Sequence, residues 1–316
     1  MRDWRFRPDH CRTSPEVGFV LFVVHSHSAL TQGLVNQGRL NSCKRSNIVH
    51  GFRKIACEEK RCIVATYCSC RRENEGGVRM AVIALLIAGG SGTRMHQDIP
   101  KQFLTVNERP VIVYTLEAFQ NHPEIDEIAV VCIKGWESVL WAYAKQFDIT
   151  KLKYVVPGGK NGQESICNGV FELEKHHLPD DIVLIHDAIR PMVSAEIISD
   201  CIRVTQLHGN ATTVIPCAEA MIQTEDGVKS TGSYPRDHLK RTQTPQGFPL
   251  GKICDLHRRA LKAGITNSVA SCTLMIELGE QVYFSAGSEK NIKLTTVEDI
   301  DIFKALLVAK RSNWLK

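Results

Sequence analysis

The chain has no apolar run near the roughly 20 residues that cross a bilayer, so no membrane partner is expected. It has no Gly-x-x-x-x-Gly-Lys-Ser/Thr, which excludes a Walker A loop, and no Gly-x-Gly-x-x-Gly of a dinucleotide-binding turn. After residue 79 it has almost no net charge: residues 80–316 hold 25 Lys/Arg and 27 Asp/Glu. A general case for nucleic-acid binding is thereby removed, and basic side chains matter only where they converge. Paired cysteine spacings are absent from that part as well. Of the 12 cysteines, the six after residue 79 (Cys132, Cys167, Cys201, Cys217, Cys254, Cys272) are dispersed. They fit buried thiols of a reducing cytoplasm, the location expected for this chain, and not a disulfide framework.

Residues 1–79 stand apart. They hold 14 Lys/Arg against 7 Asp/Glu and show no sustained period of 2 or 3.6. The apolar stretch 17–24 resembles a signal-peptide core, but it is short and no Ala-x-Ala-like cleavage site follows. His50, Cys57, Cys62, Cys68 and Cys70 match no standard zinc spacing. The segment is read as a non-native or disordered extension. Met80 directly precedes the first strong strand, and the codons of Glu75-Gly76-Gly77 can spell a ribosome-binding sequence, so translation is expected to start at Met80.

From Met80 onward, strand and helix patterns alternate. Strands are predicted at 82–87, 128–133, 154–156, 182–185, 212–215 and 282–285. Helices are predicted at about 111–121, 136–147, 163–176, 195–207, 250–263 and 297–310. Such alternation gives an α/β fold, a Rossmann-like, mostly parallel sheet with helices on both faces. The last helix is the clearest, with a capping box at Thr296 and Asp299 and with Ile300, Phe303 and Leu307 on one face. Residues 217–247, rich in Gly and Pro, break the rhythm. They read as a projecting β-arm that serves a subunit interface or closes a site.

The chemistry concentrates where strands end. An apolar run ending at Ala88 feeds Gly89-Gly90-Ser91-Gly92-Thr93-Arg94-Met95, and Pro100-Lys101-Gln102 comes next. Glycines at 89, 90 and 92 let several backbone N–H groups face one anion, and Arg94 and Lys101 add full charge. A nucleoside triphosphate needs that combination, because phosphoryl and nucleotidyl transfers are catalysed mostly by positioning and charge neutralisation. His186-Asp187-Ala188-Ile189-Arg190-Pro191 follows another strand, where functional groups of open α/β sheets gather. Asp187 there can hold a metal-bound phosphate or a substrate hydroxyl, whereas His186 is given no catalytic role. Pro157-Gly158-Gly159-Lys160 leads into Gln163-Glu164-Ser165. The Gly-Gly backbone can read a base edge, with Ser165 adding a hydrogen bond. Asn291-Ile292-Lys293-Leu294-Thr295-Thr296 supplies a third cation. Arg236 lies on the arm, and Gln243-Thr244-Pro245-Gln246 ends it.

In this order the motifs resemble one family, the cytidylyltransferases that act on polyol phosphates: 2-C-methyl-D-erythritol 4-phosphate and ribitol-5-phosphate cytidylyltransferases. The resemblance spans about residues 82 to 307. It implies a fold of the nucleotide-diphospho-sugar transferase type and a reaction in which a polyol phosphate attacks the α-phosphate of CTP and pyrophosphate leaves. It implies catalytic roles for Arg94, Lys101 and Lys293, with Mg2+ bridging the phosphates. Ala88, Gly89, Gly159 and Ser165 would surround the cytidine, and Asp187, Arg190 and Thr244 would contact the polyol phosphate. Arg236 would reach the neighbouring subunit's site, so a homodimer is implied.

Three positions depart from the pattern. Lys160 stands where the family often has an acid, Ala220 where methylerythritol enzymes usually carry Thr, and Ala270 where an acid is common. The phosphate machinery is untouched by these changes, and they tilt the acceptor toward D-ribitol 5-phosphate over 2-C-methyl-D-erythritol 4-phosphate. A non-catalytic, regulatory nucleotide binder is the alternative of another class. Three cations at one reacting phosphate weigh against it. A nicotinamide-dependent oxidoreductase would need an acid near Val131-Cys132-Ile133-Lys134, and none is there.

Overall fold

A computed structural model of the chain describes residues 19–24, 50–58, 61–68, 79–90 and 99–312. The chain divides into two compact units, Met1–Arg79 and Met80–Lys316.

In the first unit, β1 (Phe19–Val24), β2 (His50–Glu58) and β3 (Arg61–Cys68) form an antiparallel sheet in the order β1-β3-β2. The sequence pattern predicts no element here. The stretch compared with a signal core is rich in Val and Phe, residues that favour extended backbone, and its residues 19–24 form β1. The side chains of the five candidate metal ligands lie outside the described residues.

The second unit is built on a seven-stranded sheet. Its strands are β4 (Val82–Ala88), β7 (Glu127–Cys132), β8 (Leu152–Pro157), β9 (Ile182–Asp187), β10 (Ala211–Pro216), β13 (Lys240–Pro249) and β14 (Phe284–Ala286). The order is β14-β10-β13-β9-β4-β7-β8. All neighbours pair in parallel except those of β13, which is antiparallel to both β9 and β10. Every strand expected from Met80 onward is present. Between β4 and β7 in the chain, β5 (Thr105–Val106) and β6 (Arg109–Pro110) pair as a separate small hairpin.

Central strand β4 explains the layering. Its side chains alternate across the sheet. Val82, Ala84, Leu86 and Ala88 pack with Leu116 and Phe119 of α1 (Val111–Gln120), Leu140 of α2 (Glu137–Gln146) and Ile198 of α4 (Ala195–His208). Ile83 and Leu85 face the other way. They pack with Val170 of α3 (Gly162–Leu173), Ile253 and Leu256 of α5 (Leu250–Lys262) and Met275 of α6 (Ser271–Glu277). Helices therefore cover both faces, as the alternating pattern implies. The final helix α7 (Val297–Ser312) starts at the expected box, with Thr296 N donating to Asp299 Oδ2 at 2.8 Å. Its buried Phe303 meets the Tyr114 ring edge-on at 5.1 Å.

The irregular segment is shorter than the expected 217–247. Only the short hairpin of β11 (Met221–Gln223) and β12 (Gly232–Tyr234) and its flanks stand out, and every residue of both strands is exposed. Residues 240–249 return into the central sheet as β13, where Gln243 and Gln246 are buried. Among the described residues, no helix is long and apolar enough to cross a membrane.

Candidate active site

Strand register gathers the motifs at one edge of the sheet. Ile87 pairs with Asp187 and Ala88 with Cys132, so β4, β9 and β7 end side by side. Open α/β sheets bind ligands beyond such carboxyl ends.

The turn after β4 is described as far as Gly90; Gly92 and Arg94 lie outside the described residues. The chain at Gln102 is tied firmly back to β4. Gln102, buried, donates through Nε2 to Ala88 O at 2.7 Å and to Gly90 O at 3.1 Å. A 3₁₀ turn, Lys101–Phe103, thus sits against the end of β4, and its half-buried Lys101 is carried to the glycine turn. Nothing in the sequence beyond its place beside Lys101 marks Gln102 for this tie.

A second turn meets the first. A Cβ on Gly89 would lie 3.4 Å from Gly158 Cα and 3.1 Å from Ser165 Oγ. A Cβ on Gly159 would lie 2.5 Å from Glu164 Cγ and 2.8 Å from its backbone carbon, so only glycine fits. Asn161 caps α3, its Oδ1 accepting from Glu164 N at 2.9 Å. Ser165 donates to Asn161 O at 2.8 Å and accepts from Gly159 N at 3.0 Å. Its hydroxyl therefore shapes the Gly-Gly backbone. Lys160 is exposed, and its N–H donates to Glu164 Oε2 at 2.9 Å. Gly89, Gly159 and Ser165 thus meet at one junction of small residues, where Ala88 and Ser165 are buried and Gly90 continues from Gly89.

The third group is charged. Asp187, with a side chain 20% exposed, accepts from Lys293 Nζ on Oδ1 and from Arg190 Nε on Oδ2, each at 3.0 Å. Burial pushes its carboxyl up, but Lys293 and Arg190 outweigh burial and hold it below the usual carboxylate range. Lys293 is brought there by a buried neighbour: Leu294 enters the core and donates its N–H to Ile189 O at 2.9 Å. Arg190 is fixed by a further bond from Nη1 to Asn291 O at 2.7 Å. Thr244, on β13, accepts from Asp187 N at 3.0 Å. Asn291 Nδ2 donates to Thr244 O at 2.9 Å.

Asp187, Arg190, Thr244 and Lys293, drawn from three distant segments, therefore converge. Arg236 does not join them within one chain; its guanidinium donates to Ala218 O on its own arm at 2.9 Å. Buried His186 and Asn291, which frame Thr244, went unassigned in the sequence. Their only signal was their place inside the motifs that hold Asp187 and Lys293.

A profile of the family IspD, 2-C-methyl-D-erythritol 4-phosphate cytidylyltransferase, matches residues 82–309. A ribitol-5-phosphate cytidylyltransferase of Lacticaseibacillus paracasei is 44% identical over 232 residues, 72% of this chain and 99% of the relative. A 2-C-methyl-D-erythritol 4-phosphate cytidylyltransferase of Clostridium botulinum is 36% identical over 225 residues, 71% of this chain and 96% of the relative. Among solved structures, 4-diphosphocytidyl-2C-methyl-D-erythritol synthase from Anaerococcus prevotii superposes with a TM-score of 0.63 at 26% identity. That match covers 72% of this chain and 96% of the other.

Proposed function

Because this chain belongs to the 2-C-methyl-D-erythritol 4-phosphate cytidylyltransferase (IspD) family, we propose that it transfers the cytidylyl group of CTP to D-ribitol 5-phosphate. The products are CDP-ribitol and pyrophosphate. The observation that carries the acceptor side is the Asp187, Arg190, Lys293 and Thr244 cluster beside the glycine turns. The choice of ribitol over 2-C-methyl-D-erythritol 4-phosphate is supported by the higher identity to the ribitol relative, 44% against 36%, and by Ala220 and Ala270.

An oxygen of the polyol phosphate attacks the α-phosphorus, and the bond to the β-phosphate oxygen breaks. The nucleophile is already an anion, so no general base is needed. Lys101, Lys293 and Arg94 face the negative charge that spreads over the phosphate oxygens. In this reading Gly89, Gly90, Gly92 and Gly159 offer backbone groups to CTP, with Ala88 and Ser165 completing the small-residue wall. Asp187, Arg190 and Thr244 bind the polyol phosphate.

A divalent cation fits this chain in one way. Among the described residues no group of three His, Cys, Asp or Glu side chains gathers. Magnesium, which keeps its waters and accepts substrate phosphates as ligands, suits such a site. The triphosphate oxygens would be its main ligands, since both oxygens of Asp187 are already bonded to Lys293 and Arg190. When bound, the ion neutralises triphosphate charge.

The catalytic unit is residues 80–316, with residues 1–79 outside it and the cytoplasm as its location. The boundaries are supported by the family match at 82–309. The arm is read as a homodimer contact that carries Arg236 to the partner's site. Its exposed Met221, Ile222, Val228 and Tyr234 support an apolar contact.

Pyrophosphate release by the full chain tests the reading. It should require CTP, magnesium and ribitol 5-phosphate together. Faster turnover of 2-C-methyl-D-erythritol 4-phosphate would overturn the acceptor, and faster turnover with ATP, GTP or UTP would overturn the base.

A further inference from the structure

Directly behind the charged cluster lies a buried polar ring that the proposed reaction does not use. His186 has no exposed surface and packs against Phe119, ring centroids 5.1 Å apart. Its two nitrogens face different partners. Nε2 lies 3.3 Å from Arg190 O, and Nδ1 lies 3.1 Å from Thr244 Oγ1. A carbonyl oxygen only accepts, so Nε2 carries the hydrogen. With Nε2–H given to that carbonyl, with no exposed surface for a charged ring and with a hydroxyl able to donate facing it, Nδ1 is a bare lone pair.

The consequence falls on Thr244. Its hydroxyl hydrogen is donated to His186 Nδ1. Its oxygen already accepts the N–H of Asp187 at 3.0 Å. The strand is held by Asn291, which donates to Thr244 O at 2.9 Å. What remains at Thr244 Oγ1 is one lone pair and no hydrogen. Ionised phosphate oxygens are acceptors only and meet that lone pair unfavourably. An alcohol hydroxyl can donate to it.

We propose that His186 is a positioning residue that makes the Thr244 hydroxyl a fixed acceptor, so that Thr244 recognises a hydroxyl of the polyol and not a phosphate oxygen. This deepens the proposed function and rests on its assignment of Thr244 to the polyol phosphate. Phosphate oxygens are then left to the cations. The orientation also favours a polyhydroxylated acceptor over a simple alkyl phosphate.

Two measurements on the full chain test this. In 15N-labelled protein, the ring signals lost in His186→Asn should report a neutral Nε2–H tautomer from pH 8 to pH 5; an Nδ1–H tautomer overturns the proposal. In steady-state kinetics, His186→Leu should raise the KM for ribitol 5-phosphate about tenfold and leave the KM for CTP unchanged. His186→Asn, whose amide oxygen can accept from Thr244, should recover most of the loss. Thr244→Val should match His186→Leu, and the double variant should lose nothing further. One monodeoxy ribitol 5-phosphate should bind about tenfold more weakly to the unaltered protein and no more weakly still to His186→Leu.

A normal KM in His186→Leu with an impaired Thr244→Val overturns the role of His186 and spares the assignment of Thr244. A normal Thr244→Val overturns both. Should His186→Leu fail to fold, the tautomer decides.

Discussion

The two sides of the site are built by different means. On the side proposed for the nucleotide, the turns after β4 and β8 touch through Gly89 and Gly158, and among the described residues Ser165 and Gln102 bond only to main chain. On the side proposed for the acceptor, Asp187 is clamped between Arg190 and Lys293, and side chains from three segments share one network. One wall is defined by what a Cβ would strike, the other by charge. A shape-defined wall suits a flat base, and a charged one suits a flexible phosphate. Each side also has a buried histidine behind it. His186 is bonded through both nitrogens, whereas the Nε2 of His257, on α5 near Gln163 and Ser268, has no partner among the described residues.

The sharpest way to break this contrast is to remove one charge. Lys293→Ala should lower kcat by on the order of 10²–10³, because transition-state charge loses a fixed donor. Mixing it with Arg236→Ala should regain activity, since in a dimer sharing arms one site is then intact. A fall below tenfold for Lys293→Ala removes the charged wall from catalysis.

The histidines come next. Both are held near pKa 4 by burial, against about 6.5 for a free ring. The folded value is the lower one, so between pH 6.5 and 4 the unfolded chain binds the proton first. Stability contributed by each ring is complete above pH 6.5 and falls as pH drops, by up to about 3 kcal/mol each. Denaturant melts at pH 7 and pH 4.5 measure the loss. His257→Leu should flatten part of that dependence and leave stability at pH 7 unchanged or higher, since it removes an unpaired polar atom.

The smallest effect belongs to shape. Gly159→Ala forces its Cβ onto Glu164 and should cost about 1–3 kcal/mol. The KM for CTP should rise roughly tenfold with the KM for ribitol 5-phosphate unmoved. A change confined to the acceptor would reverse the assignment of the two walls.

Periodicity made most of the second unit legible. Apolar runs such as 82–87 and 128–133 became buried parallel strands because nothing but the sheet interior satisfies them. Strand β13 was hidden for the opposite reason. Gln243-Thr244-Pro245-Gln246-Gly247 reads as a turn, yet its glutamines are buried and satisfied from afar. Gln243 bonds Ser288 O and Asn291, and Gln246 bonds Cys272 N. Long-range hydrogen bonds of that kind leave no period in a sequence. Helix α6 was missed because its N-cap is Ala270, with no side-chain acceptor to announce the start. In the site, glycine turns and cations could be read directly. The roles of Gln102, His186 and Asn291 depend on which distant carbonyl or hydroxyl each one meets, and only the fold supplies that.

Gln102 has one more consequence. By holding the carbonyls of Ala88 and Gly90 with a single amide, it fastens both ends of the segment between Gly90 and Gln102 at the same spot. The closure entropy of a fastened loop grows only slowly with its length, by about 0.6 kcal/mol per doubling. A change in the length of chain between these anchors therefore adds little closure cost to the sheet, while Lys101, next to the amide that makes the tie, keeps its place beside Gly90.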